Sequence, residues 1–270
     1  MNISKARIYV FLAGIMWSLG GVFIKSIHLP GLTITFYRSL FAAIICIPWL
    51  RLKDLNLTWA KLFAMLLYTA VVSLFVLASK TTTAANAIIL QYISPFFVLV
   101  LGSIFLKEKI EKKNVFCLFI TMIGILIILA GSKSQKDITG ILFAIGSGIA
   151  FALYTLMQRF LKDESPFAMV FLYNISAVLL LSFFIFPNFQ ISKIDLILII
   201  FMGIVQLGIP YILFAKGLKI LTAQEGSLIT LIEPVLNPLW VVIIVGEIPS
   251  LATISGGVLI LIALSFRFIK

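Results

Sequence analysis

Three polar side chains share one face of an otherwise apolar helical stretch in the last fifth of the chain. They are Glu225, Glu233 and Asn237, and the last two lie in LITLIEPVLNPLW, residues 228–240. Residues at spacings of eight and four lie on the same side of a continuous helix. A carboxyl group there could bind a positively charged ligand group or exchange a proton. We therefore predict a site centred on Glu233.

Prolines interrupt this stretch and a second stretch like it. Pro234 has no backbone N–H, so the carbonyl of Thr230 loses its helical partner, and Pro95 does the same to the carbonyl of Gln91. Inside a membrane, irregular backbone is tolerated only against protein or a water-filled cavity. We interpret Pro95 and Pro234 as marks of two broken helices that face one cavity, and the alternative is a simple packing kink.

The composition of the chain requires a membrane. Of its 270 residues, 62% are hydrophobic and 11% are charged, and the mean hydropathy is +1.19, which excludes an ordinary soluble domain. Windows of about 20 apolar residues, long enough to cross a bilayer, recur ten times. They run from Ala6 to Ile27, Leu32 to Leu50, Ala60 to Ser79, Thr83 to Leu106, Val115 to Ala130, Ile138 to Met157, Phe167 to Phe186, Ile194 to Phe214, Leu221 to Val245 and Ile248 to Phe268. We number these windows as spans one to ten and predict an all-α membrane protein.

The distribution of positive charge predicts the orientation. Of 21 Lys and Arg residues, fifteen fall on the face that carries both chain ends, five fall on the other face, and Arg38 lies inside span two. Positive residues remain on the cytoplasmic side, so both termini are predicted to be cytoplasmic. The net charge of +11 is spread over short loops, so we expect no nucleic-acid partner.

The chain contains an internal repeat. Its two halves align at offsets of 139 and 134 residues, which pair Ala84 with Ala223, residues 93–95 with 232–234, Glu108 with Glu247, Gly14 with Gly148, Trp17 with Phe151, Ser18 with Ala152 and Lys25 with Arg159. Five spans in each half force the second copy to insert upside down, as in many secondary transporters. We predict two inverted five-helix repeats, residues 1–132 and 133–270.

Small residues recur at four-residue spacing in spans one and six. They are Gly14 and Ser18 in the first half and Gly148 and Ala152 in the second. Small residues at this spacing allow helices to approach closely, so we predict that span one packs against span six.

The residues resemble a known family. AGIMWSLGGVFIK at 13–25 and the paired segments AANAIILQYISPFFVLVLGSIFLKEKI and AQEGSLITLIEPVLNPLWVVIIVGEIP at 84–110 and 223–249 are similar to EamA-type members of the drug/metabolite transporter superfamily. The resemblance implies ten helices, cytoplasmic termini and a cavity lined mainly by spans 1, 3, 4, 6, 8 and 9. It leaves the substrate open. The first half departs from the family pattern, with Lys107 where a glycine usually precedes the glutamate, whereas the second half keeps Gly246 and Glu247.

Further polar and aromatic residues complete the predicted substrate-binding and coupling set. They are Asn86, Gln91 and Ser94 of span four, together with Trp17, Tyr92, Tyr154, Gln206, Tyr211 and Arg38. The aromatic residues are equally typical of packing or interface anchors. Arg38 has two alternatives, a structural role in the fold or an ion pair with Glu233. Glu225 has the alternative of pairing with Lys216 or Lys219 near the cytoplasmic face.

These observations predict a secondary transporter of the cytoplasmic (inner) membrane that works by alternating access and is not an enzyme. The substrate would be an amino acid or another cationic or zwitterionic metabolite, with protons as a coupling ion, and the protein a monomer or homodimer in the lipid bilayer. No phosphate-binding GxxxxGK loop occurs. We expect no cofactor or metal, because Cys46, Cys117 and His28 show no ligand spacing. The alternatives are a membrane-embedded enzyme and a non-transporting scaffold.

Overall fold

The structure is a computed structural model that describes residues 1–106, 112–131, 134–185 and 191–266. These residues form α-helices joined by short turns, and they contain no β-strand. The helices are α1 Ile3–Ser18, α2 Gly20–Ser26, α3 Gly31–Ile44, α4 Trp59–Thr81, α5 Ala84–Gln91, α6 Ser94–Leu106, α7 Lys112–Ala130, α8 Gln135–Phe160, α9 Pro166–Leu181, α10 Lys193–Phe201, α11 Ile209–Leu218, α12 Ala223–Ile229, α13 Ile232–Val245 and α14 Leu251–Phe266. A π-helical segment, Met202–Gly208, joins α10 to α11.

Within the described ranges, seven helical segments are long and apolar enough to cross a membrane. They are Ile3–Ser26, Gly31–Trp49, Trp59–Thr81, Gln135–Phe160, Pro166–Phe184, Lys193–Leu218 and Ala223–Val245, and two shorter apolar helices are Ala84–Val98 and Leu251–Ala263. Large apolar side chains such as Leu66, Leu142 and Ile243 are exposed along these segments. An apolar outer surface of this kind is the surface that lipid tails cover.

Two membrane segments are broken near their middle. Two residues separate α5 from α6, and two separate α12 from α13. Pro95 and Pro234 each lie in the first turn of the helix that follows the break. A proline is tolerated there because the first N–H groups of a helix have no intrahelical partner. A further interruption at Leu19, between α1 and α2, was not predicted, although Gly20 and Gly21 directly follow it.

Gly14 of α1 lies against the break between α12 and α13. A Cβ atom added at Gly14 would lie 2.8 Å from Cγ2 of Ile232 and 3.4 Å from Cα of Thr230. Four residues later, the hydroxyl oxygen of Ser18 accepts a hydrogen bond of 3.1 Å from the indole of Trp240 in α13. The small face of span one therefore packs on span nine.

Gly148 of α8 lies against the other break, between α5 and α6. Its added Cβ would lie 2.7 Å from the carbonyl oxygen of Gln91 and 3.0 Å from Cγ1 of Ile93. The predicted packing of span one on span six through these small residues is therefore wrong. Glycine does permit a close approach here, but to the irregular backbone of a broken helix, not to the glycine of the other half.

Two ion pairs connect the first span to the ninth at opposite ends. At one end Arg7 of α1 pairs with Glu225 of α12 at 2.7 Å. At the other end Lys25 of α2 pairs at 2.6 Å with Glu247, which follows α13. The second oxygen of Glu247 accepts the backbone N–H of Ala84, the first residue of α5, at 2.6 Å. Opening either end of the bundle between spans one and nine therefore requires an ion pair to break.

Two of the aligned residues, Lys107 and Glu108, lie outside the described residues, so the counterpart of the Glu247 contacts in the first half is not described.

Candidate functional site

A cavity of about 30 Å³ lies between the helices at the level of the broken segments. Spans one, three, four, six, eight and nine all contribute to its wall, as the family resemblance implied, and span two adds one residue. The lining residues are Trp17, Arg38, Val71, Val72, Phe75, Gln91, Phe151, Gln206, Leu207, Tyr211 and Glu233.

Glu233 brings a buried carboxyl group to this cavity. It lies in the first turn of α13, and only 5% of the residue is exposed. The hydroxyl of Tyr92 donates a hydrogen bond of 2.6 Å to Oε2 of Glu233. Since Tyr92 follows α5 directly, this bond joins the two broken helices at their breaks. A carboxyl group removed from water is less costly to bury in its neutral form unless a positive group comes close.

Arg38 of α3 places a guanidinium group in the same cavity. Its Nη2 donates to the carbonyl oxygen of Val72 at 2.8 Å, and its Nη1 donates to Oε1 of Gln206 at 3.5 Å. Its Nε has no hydrogen-bond partner within the described ranges. Across the part of the chain that the structure describes, Arg38 forms no ion pair with Glu233. The direct ion pair between Arg38 and Glu233, one of the two predicted alternatives for Arg38, is therefore not formed in this structure.

Gln206 reaches the cavity from the π-helical segment. Its amide nitrogen donates to the carbonyl oxygen of Trp17 at 3.3 Å, while its amide oxygen accepts from Arg38. Pro210 lacks the N–H that would bond the carbonyl of Gln206 in a regular helix, and wider π turns often occur at functional sites. Pro210, with Gly203 and Gly208 nearby, is the sequence feature that could have indicated this segment.

Aromatic rings form one wall of the cavity. The ring of Trp17 lies 4.8 Å from that of Tyr211 and 5.9 Å from that of Phe151, centroid to centroid. Tyr154 packs behind this wall, 5.8 Å from Tyr68, and does not line the cavity. The rings restrict the orientation of Trp17 and Tyr211, because each is held by several edge-to-face contacts.

Of the polar residues predicted in span four, Gln91 alone lines the cavity. Its amide nitrogen donates to the hydroxyl of Ser147 at 2.7 Å. Asn86 points elsewhere, since its amide bonds Thr82 at 2.9 Å and accepts from Thr253 at 2.7 Å. Asn86 thus ties α5 to α14.

Three further predicted residues lie outside the cavity lining. Ser94 and Asn237 are buried, and the amide of Asn237 has no hydrogen-bond partner among the described residues. Glu225 pairs with Arg7 at the end of the bundle, not with Lys216 or Lys219. The inward stripe that joined Glu225 to Glu233 fails because the break after Ile229 interrupts the helical phase between them.

The apolar lining residues were missed, apart from Phe151, which entered only as the repeat partner of Trp17. They are Val71, Val72, Phe75 and Leu207. In a chain this apolar, residue type gives no signal that separates a cavity wall from ordinary packing. Among the described residues, no group of three or more His, Cys, Asp or Glu could hold a metal ion.

Comparison with known proteins finds one matching family, described as the EamA-like transporter family. Its model matches residues 4–130 and, a second time, residues 138–268. A solved crystal structure aligns with 99% of this chain and 98% of its own chain, with a TM-score of 0.75 and 18% sequence identity. A similarity at this level of identity supports the fold alone.

Relatives that match more than nine-tenths of this chain are named as transporters, an exporter or a solute carrier. An uncharacterized transporter of Archaeoglobus fulgidus is 28% identical over 93% of this chain and 92% of its own. A pseudopaline exporter of Pseudomonas aeruginosa is 26% identical over 93% and 92%. Human solute carrier family 35 member G1 is 25% identical over 92% of this chain and 74% of its own.

Proposed function

The chain belongs to the EamA-like transporter family, and from this premise we propose that it is a secondary transporter that moves a small metabolite by alternating access. It is a multi-pass membrane protein, and we place it in the cytoplasmic (inner) membrane. One relative is named an exporter, so export is the direction to test first.

The observation that carries this proposal is the position of Glu233. Its carboxyl group is buried in a cavity lined by six of the predicted spans and by Arg38, at the point where two broken helices meet. A carboxyl group in mid-membrane costs free energy, and residues of this kind are usually found there because they serve a function. A proton or a positively charged substrate group would each neutralise it, so the two can exchange. The substrate class that fits is an amino acid or another cationic or zwitterionic metabolite.

Two inverted five-helix repeats, residues 1–132 and 133–270, give this site its mechanism. At the offsets of 134 and 139, Gly14 against Thr230 and Ile232 corresponds to Gly148 against Gln91 and Ile93. The same contact thus occurs twice. In each case a glycine of one half packs on the broken helix of the other half, which supports the proposed duplication. Two similar halves in opposite orientation can exchange shapes and open one central site to alternate sides.

The end ion pairs fit this exchange. Arg7 with Glu225 and Lys25 with Glu247 hold span one to span nine at opposite ends. We propose that each pair opens when its side of the cavity opens. The enzyme alternative has less support, because the described residues that line the cavity include one carboxyl group and no second carboxyl group or histidine to pair with it in acid–base chemistry.

We expect ten spans with both termini in the cytoplasm. With Cys46 and Cys117 changed to Ala, a cysteine at Lys136 should react with a membrane-impermeant thiol reagent in intact cells. A cysteine at Lys53 should react only after the cells are opened, because the fifteen-to-five charge bias orients the loops. Both side chains are exposed, so burial would not hide either cysteine. Labelling of Lys53→Cys from outside would contradict this orientation.

Binding of substrate can be tested on the purified full-length protein with a thermal-shift panel of amino acids, amines, organic acids and nucleotide sugars. A ligand that binds only the folded state stabilises it by about 2.7 kcal/mol at 100 times its Kd. We expect the melting temperature to rise with compounds that carry a positive group. A rise with organic acids or nucleotide sugars alone would contradict the proposed role of Glu233.

A further inference from the structure

We propose that Arg38 and Trp17 form a carboxylate-binding subsite in the cavity of Glu233, so that the substrate is a small zwitterion with an ammonium and a carboxylate group. This inference rests on the proposed transport function and narrows its substrate class. It excludes metabolites that carry a positive charge only.

Two buried N–H donors in the cavity lack an acceptor. No atom of the described residues accepts a hydrogen bond from Nε of Arg38 or Nε1 of Trp17, although the residues are only 1% and 4% exposed. Both groups can donate and neither can accept. Folded proteins rarely leave such donors unpaired, and an exception requires an explanation. An acceptor supplied by a ligand explains both at once.

The two donors are held by their neighbours. The other guanidinium nitrogens of Arg38 are engaged by Val72 and Gln206. Gln206 also bonds the backbone of Trp17, and the ring of Tyr211 packs on the indole. Gln206 thus contacts both residues that carry a free donor. A carboxylate is the natural partner, because its two oxygens accept strongly from a charged guanidinium and a second N–H.

Charge balance favours a ligand with both signs. The cavity contains one guanidinium and one carboxyl group that do not pair with each other. A simple cation would neutralise Glu233 and leave the guanidinium of Arg38 buried without a counter-charge, and a simple anion would do the reverse. An uncompensated buried charge is strongly unfavourable. The cavity volume of about 30 Å³ in this structure has room for roughly two water molecules, so the helices must move apart to admit any amino acid, and a small one requires the least movement.

The test is isothermal titration of the purified full-length protein with the twenty common α-amino acids. The tightest binder is then compared with its amide, which keeps only the ammonium group, and with its N-acetyl derivative, which keeps only the carboxylate. We expect each derivative to bind roughly tenfold more weakly or worse, because each loses a hydrogen-bonded charge.

The variant Trp17→Phe keeps an aromatic ring and removes the N–H donor. It should lower the affinity for the amino acid more than the affinity for the amide, because the neutral carbonyl oxygen of the amide is a weaker acceptor than a carboxylate. Trp240→Phe is the matched control, because the indole of Trp240 bonds Ser18 and does not line the cavity. Arg38→Gln should abolish the preference for the amino acid over its amide, and Trp17→Phe covers the case in which the Arg38 variant does not fold.

The outcomes separate this subsite from the proposed function. Equal binding of the amino acid and its amide, or binding of amines but of no amino acid, would overturn the subsite and leave a cation transporter. The expected binding preferences without uptake into sealed vesicles would support the subsite and contradict transport. Binding of none of the twenty amino acids would overturn the zwitterion class.

Discussion

Glu233→Gln should abolish proton-driven uptake into reconstituted vesicles while the protein still inserts and folds. Glutamine has the size of glutamate and its amide oxygen can still accept the hydrogen bond from Tyr92, but it cannot take up or release a proton. The exchange of a proton for the positive group of the substrate would therefore be lost. Uptake is measured with an imposed pH gradient and the ligand identified by titration, and folding by gel filtration and thermal melting.

Glu225→Gln is the matched control for this variant. Glu225 is a carboxylate of the same span, but it is partly exposed, paired with Arg7 and outside the cavity. An exposed pair contributes little to stability, so this variant should fold normally. Loss of the end pair changes how easily one side opens, so we expect the rate of uptake to change while uptake still depends on the pH gradient. Full proton-coupled uptake by Glu233→Gln would remove Glu233 from the mechanism.

The double variant Glu233→Gln with Arg38→Gln tests the remaining alternative. If Glu233 served only to neutralise Arg38, the single variant would be destabilised, and the double variant would recover both stability and transport. Because the two groups form no ion pair here, we expect no recovery.

Gly148→Ala should lower the stability of the protein by about 1–3 kcal/mol, the usual cost of overpacking a close contact. Its new Cβ would lie 2.7 Å from the carbonyl oxygen of Gln91 and 3.1 Å from that of Leu90. These are backbone atoms of a broken helix that cannot turn away as a side chain can. The steric cost therefore exceeds the helix propensity of up to about 1 kcal/mol that alanine adds. Thermal melting in detergent measures the difference.

Gly146→Ala is the control on the same helix. The nearest atom to its Cβ would be Cδ1 of Leu74 at 3.4 Å, an ordinary contact, so this variant should be neutral or slightly more stable. Gly14→Ala should cost less than Gly148→Ala, because its closest contact is the Ile232 side chain at 2.8 Å. Equal melting temperatures for Gly146→Ala and Gly148→Ala would contradict the close packing of α8 on the break.

The sequence was most informative where a residue type is costly in a membrane. The EamA resemblance is confirmed by the family match over both halves, and the all-helical character followed from apolar length alone. Glu233, Arg38 and Gln206 are polar groups in apolar spans, where such groups require a reason, and all three line one cavity.

Contacts beyond a helix break were not predictable by the same argument. Glu225 and Glu233 share a face only on a continuous helix, and the break after Ile229 places them in different surroundings. Small residues such as Gly14 and Gly148 predict a close approach but not the partner, since any backbone can be that partner. The π turns around Gln206 depend on local hydrogen bonding that hydrophobic periodicity does not report.

Exchange of labelled for unlabelled amino acid across the membrane of sealed vesicles tests most directly whether one cavity serves both sides of the membrane. Vesicles with the wild-type protein are preloaded with the unlabelled amino acid that binds most tightly, and entry of the radiolabelled form is followed without a pH gradient. Alternating access predicts faster entry than into empty vesicles, because the loaded site returns to the outside and exchanges its ligand. Entry at the rate of protein-free vesicles, by a protein that binds the same amino acid in titration, would contradict transport.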